Sequence, residues 1–93
     1  MKFEWDTDKA IANLKRHKVS FQEASTVFGD TLSITIVDPD HSVGEQRYII
    51  IGSSYMERIL MVSHTDRGER IRIISARELT RKERKAYEEG ELI

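Results

Sequence analysis

The sequence has no cysteine, one proline and few aromatics, with three phenylalanines, three tyrosines and one tryptophan in 93 residues. The lack of thiols excludes disulfides, thiolate metal ligands and a cysteine nucleophile, and fits a reducing compartment. No apolar run approaches the roughly 18 residues of a membrane span. Acids interrupt the opening Met1-Lys2-Phe3-Glu4-Trp5-Asp6 at once, so neither an anchor nor a signal peptide is expected. The expected location is the cytoplasm, without a membrane partner. Glycine-rich phosphate loops, dinucleotide fingerprints and serine-nucleophile motifs are missing too. What is present, 39% apolar and 33% charged side chains, is globular composition. The length suits a single domain over residues 1–93.

The formal net charge of −1 hides a segregation. Residues 1–66 carry seven basic and ten acidic groups, whereas residues 67–85 carry eight basic against three acidic, a local +5. The last eight residues add three glutamates. A polyanion therefore has a place to bind despite the acidic total.

Lys2-Phe3-Glu4-Trp5 alternates polar and apolar, which predicts a short strand. Asp6 or Thr7 can cap a helix with Asp8 in its first turn. Ala10, Ile11 and Leu14 supply its apolar stripe, and it should end near His17. Ser20 and Glu23 have capping-box spacing, with Val19 placed to staple onto Ala24. The second helix they start presents Phe21, Ala24, Val27 and Phe28 before Gly29 stops it. Four β-rich runs follow, 32–37, 47–51, 59–65 and 70–75, joined by turns too short for crossover helices, so an antiparallel meander is predicted. Thr80 and Glu83 repeat the capping-box spacing and predict a helix over 81–89 that ends at Gly90. Its only apolar members are Ala86 and Tyr87, so it should be peripheral, supported by the pairs Glu78 with Lys82, Arg84 with Glu88 and Lys85 with Glu89. The predicted class is α+β in the order β-α-α-β-β-β-β-α, a mainly antiparallel twisted sheet with the two N-terminal helices on one face.

Chemistry concentrates at the hairpin around Asp66-Arg67-Gly68. With those three residues as its loop, Thr65 opposes Glu69, His64 opposes Arg70 and Val62 opposes Arg72. One face then carries His64, Arg70 and Arg72; the helix-covered face carries Met61, Ser63, Thr65, Ile71, Ile73, Ser75 and Arg77. A four-residue loop shifts the pairing by one. An imidazole beside arginines suits RNA cleavage without a metal. The ring can take the 2′-hydroxyl proton or protonate the leaving oxygen, while guanidinium groups hold the charge on phosphorus. The plain alternative is a solvent-facing arginine stripe with His64 as a packing residue. Asp38, Asp40 and His41 could ligate a metal, but turn chemistry accounts for them and the three histidines lack metal-ligand spacing, so neither metal nor cofactor is expected. Trp5 is expected in the core rather than as a base-stacking platform.

Several blocks in order resemble the BrnT family of type II toxins, ribonucleases with a RelE-like fold. They are Phe3-Glu4-Trp5-Asp6 with Lys9 and Asn13; His17-Lys18-Val19-Ser20-Phe21 with Glu23-Ala24 and Val27-Phe28; Asp40-His41-Ser42 with Glu45 and Arg47; and Arg70-Ile71-Arg72-Ile73-Ile74-Ser75-Ala76-Arg77 with Glu83 and Tyr87. The chain departs from the pattern at Lys18, where the family usually has glycine. The resemblance implies an RNA-cleaving, translation-inhibiting toxin silenced by a BrnA-type antitoxin. That antitoxin would carry a ribbon-helix-helix domain, through which alone the complex touches DNA. Metal-free cleavage by relatives of that fold agrees with the site read above from His64, Arg70, Arg72 and Arg77, to which Tyr87 is added as a proton donor. Arg47, Arg67 and Arg81 are expected to contact RNA, and the local +5 with the polar last helix makes Arg81, Lys85 and Tyr87 the expected antitoxin-facing residues. A different class of function, a non-catalytic module that serves a DNA-binding antitoxin as co-repressor, stands beside it.

Overall fold

The computed structural model describes residues 1–40 and 44–91; His41 and Ser42, weighed above, lie outside the described residues. The elements are β1 (Lys2–Glu4), α1 (Thr7–His17), α2 (Phe21–Thr26) continued by a 3₁₀ turn (Val27–Gly29), β2 (Ile34–Val37), β3 (Tyr48–Ser53), β4 (Ile59–Arg67), β5 (Arg70–Glu78) and α3 (Arg81–Glu88). Strands β2 to β5 form the predicted meander, and β1 adds to the free side of β5 in parallel, so the sheet order is β1-β5-β4-β3-β2. No helix among the described residues is long and apolar enough to cross a membrane.

Local chemistry sets the helix ends. Asp6 caps α1 by accepting from the Lys9 amide at 3.0 Å, and Ser20 caps α2 by accepting from the Glu23 amide at 3.0 Å. Only α3 has both halves of a capping box, because Glu23 turns its carboxylate inward to Ser54 and Arg58. Behind the sheet, Val19, Phe21, Ala24 and Val27 pack on Ile50, Leu60, Val62, Ile73 and Ala76, all nearly or fully buried. Phe3, Trp5, Ala10 and Phe28 pack around this cluster, with Trp5 edge-on to Phe21.

α1 is rotated from the predicted stripe. Ile11 and Leu14 stay about half exposed, at 53% and 50%, and the side chain turned inward is Asn13. Its amide donates to the Val19 and Ala76 carbonyls at 3.0 and 2.9 Å, and its oxygen accepts from the Ala76 amide at 3.1 Å. β1 ends at Glu4, opposite Arg72, so the rest of β5 has no strand on that side. Asn13 satisfies both backbone groups of Ala76 there, doing with one side chain what a neighbouring strand would do. This holds α1 along the free edge of β5 and turns Ala10, Asn13 and His17 toward the sheet.

Candidate functional site

The hairpin between β4 and β5 is tighter than the three-residue loop read from the sequence. Arg67 pairs with Arg70 across a two-residue turn, Gly68-Glu69, with Gly68 at φ 62. A positive φ at the first central position alone is the pattern of a type II′ turn, which suits glycine. The pairing then runs Asp66 with Ile71, Thr65 with Arg72 and His64 with Ile73, after which Ser63 pairs with Ser75. Ile74 is therefore an extra residue, a β-bulge in β5.

That bulge changes the expected partition of side chains. His64 shares the helix-covered face with Val62, Leu60, Ile73 and Ala76, away from Arg70 and Arg72; the predicted grouping of His64 with these two arginines is corrected. Arg77, expected on the face opposite Arg72, joins it, because one inserted residue resets the alternation. The second face thus carries Arg70, Arg72, Ser75 and Arg77 on β5, Met61, Ser63 and Thr65 on β4, and Lys2 and Glu4 on β1. Met61, Ser63, Thr65 and Ser75 accompany Arg77 as expected, but on the face without α1 and α2. Ile71 and Ile73 remain on the helix side.

His64 is buried between Phe28, edge-on at 4.8 Å between ring centres, and Tyr48, stacked at 5.8 Å. Its Nδ1 lies 3.2 Å from the Val62 carbonyl, which can only accept, so the ring proton sits on Nδ1. Burial holds its pKa below the usual value, against weaker raising effects of that carbonyl and Asp66.

The arginines differ in what they have free. Arg70 is exposed, with no ion pair among the described residues. Arg72 donates from Nη1 to Glu4 at 2.9 Å. Arg77 is a clamp: Nη1 donates to Glu83 at 2.7 Å and to the Glu78 carbonyl at 3.1 Å, while Nη2 donates to Glu83 at 3.0 Å and reaches Met61 Sδ at 3.3 Å. Both terminal nitrogens are thus occupied, leaving Nε–H. The same bidentate pair pulls the Glu83 pKa down to about 2, chiefly through the Arg77 hydrogen bonds. Arg67 pairs with Glu45 at 3.0 Å near the turn. Arg47 is half-buried just ahead of β3, and Arg81 and Lys85 are exposed on α3.

Two ties hold α3 across the far end of the second face. Glu83 fixes its first turn to β5, and Tyr87 reaches the Leu32 carbonyl ahead of β2, at 3.5 Å. Burial first, and Asp30 second, raise the Tyr87 pKa. Ile51, fully buried yet outside the helix-backed cluster, lies in the row between Ile34 and Met61 on this face. The helix is peripheral as predicted, with no buried residue, and of its three predicted charge pairs Arg84–Glu88 forms at 2.9 Å. Glu78 instead meets Arg58.

Between α1 and the second face opens a cleft of about 350 Å³, lined by Arg16, His17, Met61, Ser63, Ser75, Ala76 and Arg77. A second depression of about 200 Å³ continues it along α1 past Lys9, Asn13 and Ile74, sharing Arg16, His17 and Ser75. The sequence reading missed Arg16 and His17 as site residues because it took His17 for a helix end. The available signal was the face Ala10, Asn13, His17, spaced by three and four.

The architecture is a five-stranded α+β sheet backed by two helices, with arginines on its other face. The crystal structure of the Brucella abortus ribonuclease toxin BrnT, solved at 1.1 Å, has this fold, with a TM-score of 0.65 at 24% identity over 87% of this chain and 99% of that one. The family model described as ribonuclease toxin, BrnT, of type II toxin-antitoxin system matches residues 5–83, and the chain belongs to that family. Lys85 and Tyr87 lie beyond the matched span. No curated protein matches the chain.

Proposed function

We propose that this toxin is a metal-independent endoribonuclease whose cleavage of RNA inhibits translation in the cytoplasm. In this reading a BrnA-type antitoxin with a ribbon-helix-helix domain silences it, and DNA is reached only through that antitoxin. One observation carries the reading: Arg70, Arg72 and Arg77 stand in a row on the sheet face that α1 and α2 leave free, and Arg77 at the end of the row lines a cleft of about 350 Å³. Attack of a 2′-hydroxyl on phosphorus builds negative charge on the non-bridging oxygens, and guanidinium groups held by strand backbone meet that charge without reorganising. Arg72, with donors to spare beyond Glu4, and Arg70, without an ion pair among the described residues, are the phosphate contacts in this proposal; Arg77 contributes through its Nε–H and by fixing α3. Arg47, Arg67 and Arg81 extend the positive track for RNA. Tyr87 serves α3 and the antitoxin as an anchor.

The test is cleavage of RNA by the purified chain, freed of any partner, in EDTA. Activity should persist, and Arg72→Ala should lower it by about ten- to a thousandfold, as expected for one charged stabiliser of a transition state. Cleavage that needs added Mg²⁺ or Mn²⁺ would overturn metal independence. The ion pairs Arg72–Glu4 and Arg77–Glu83 favour a second reading, since they spend part of the positive charge internally. That reading is a non-catalytic co-repressor, and the same assay, showing no cleavage beside intact antitoxin binding, would select it.

A further inference from the structure

We infer that the RNA strand is held and cut in the cleft between α1 and β5, with His17 moving the proton and Arg16 and Lys9 contacting phosphate. This rests on the ribonuclease reading above. The first argument is about charge. On the second face Arg77 and Arg72 already face carboxylates, whereas Arg16 and Lys9 are exposed and carry no ion pair among the described residues. The positive charge that remains to be neutralised in the cleft comes from α1. Its last-turn carbonyls present an adverse field to an anion, but Lys15 and Arg16 in that turn and Lys18 at the cap more than offset it.

Shape is the second argument. The two depressions share Arg16, His17 and Ser75 and together form a track from Lys9 to Arg77. The third argument is the imidazole. Of the two histidines among the described residues, His64 is sealed behind the sheet, while His17 is half-buried in the cleft wall, facing the strand that carries Ser75 and Arg77. Asn13, tied to Ala76, holds the helical turn from which His17 projects.

In the reaction, an imidazole nitrogen of His17 takes the 2′-hydroxyl proton, the 2′-oxygen bonds to phosphorus, and the bond from phosphorus to the 5′-oxygen breaks. The departing oxygen takes a proton from water in the open cleft, and the hydroxide so formed recovers the proton from the imidazolium. The products are a 2′,3′-cyclic phosphate and a 5′-hydroxyl.

The test compares the wild-type chain, His17→Gln and the double variant Lys9→Ala with Arg16→Ala. Each is assayed for cleavage of an RNA oligonucleotide and for binding of its uncleavable 2′-O-methyl form. His17→Gln should lower kcat at least about a hundredfold, in the range for a lost acid–base group, with 2′-O-methyl affinity within about threefold. The double variant, whose two sites are exposed, should fold normally. It should lose at least about tenfold in affinity and flatten the log–log salt slope by about 1.4, two single-strand contacts' worth. A folded His17→Gln chain with undiminished kcat overturns the role of His17; unchanged affinity in the double variant overturns the cleft. A wild-type chain that binds the 2′-O-methyl strand but cuts no RNA fails the parent reading instead, and the chemistry assigned to His17 with it.

Discussion

Lys18 closes α1 at φ 59, a left-handed conformation that costs a residue with a Cβ about 1 kcal/mol. Its amide still bonds the Leu14 carbonyl at 3.0 Å, and its own carbonyl accepts from Arg58 at 3.0 Å, so the strain is borne by a well-tied turn. Lys18→Gly should therefore raise the unfolding free energy by about 0.5–1 kcal/mol in urea titration; a lower value would mean the lysine side chain has a role of its own. Glu23, spaced from Ser20 as if for a capping box, instead buries a carboxylate that Arg58 grips through Nε and Nη2 and Ser54 meets at 2.7 Å. The Arg58 hydrogen bonds are the main reason its pKa lies below the usual value. Arg58→Ala strands that carboxylate and should cost about 3 kcal/mol by thermal or urea unfolding, whereas a loss under about 1 kcal/mol would show that water reaches Glu23. Spacing revealed a polar pair at this position; its partner 35 residues away was not legible, because the contact exists only after β4 packs beside α2.

Asn13 and the Ile74 bulge decide how the elements meet. Asn13→Ala removes three buried hydrogen bonds and leaves the backbone of Ala76 unpaired, so it should cost about 2–4 kcal/mol, visible as a lower urea midpoint with an unchanged slope. A near-neutral result would mean water replaces the amide at the edge of β5. At the other end of β5 the Arg77–Glu83 bridge holds α3. With Glu83 depressed to about 2 in the folded chain and near 4.5 in the unfolded one, the bridge stabilises fully above about pH 4.5, and that contribution is lost as pH falls toward 2. Glu83→Gln should accordingly flatten stability against pH between about 4.5 and 2, measured by urea unfolding at each pH. An unaltered slope would show that the pair forms equally in the unfolded chain. Helix caps and strand runs were readable because they depend on neighbours within four residues. The bulge was not, since nothing in Arg70-Ile71-Arg72-Ile73-Ile74-Ser75 marks which isoleucine is extra until Phe3, Val62 and His64 claim their sides.

Across the whole molecule the basic segment 67–85, at a local +5, wraps the second face from the β4–β5 hairpin to α3. An antitoxin that silences the toxin by covering this face should be acidic there, compete with RNA, and associate more slowly as salt rises. Arg81→Glu with Lys85→Glu, both exposed on α3, should lower the association rate and the affinity in surface-binding kinetics; unchanged values for both would place the antitoxin elsewhere. That segregation of charge, the order of elements, the helix ends and membership in a ribonuclease-toxin family were all determined by the sequence itself, because composition, capping and alternation are properties of short stretches of chain. Which side of the sheet each functional group occupies was decided only by the tertiary structure. A two-residue turn and one inserted residue in β5 moved Arg77 to the face of Arg72 and left His64 behind the sheet. The three hydrogen bonds of Asn13 turned α1 so that Arg16 and His17, more than 50 residues from Arg77 in sequence, complete its cleft. Side-chain direction along a strand has a period of two, so a single residue of slippage, invisible to local pattern, reverses every assignment beyond it.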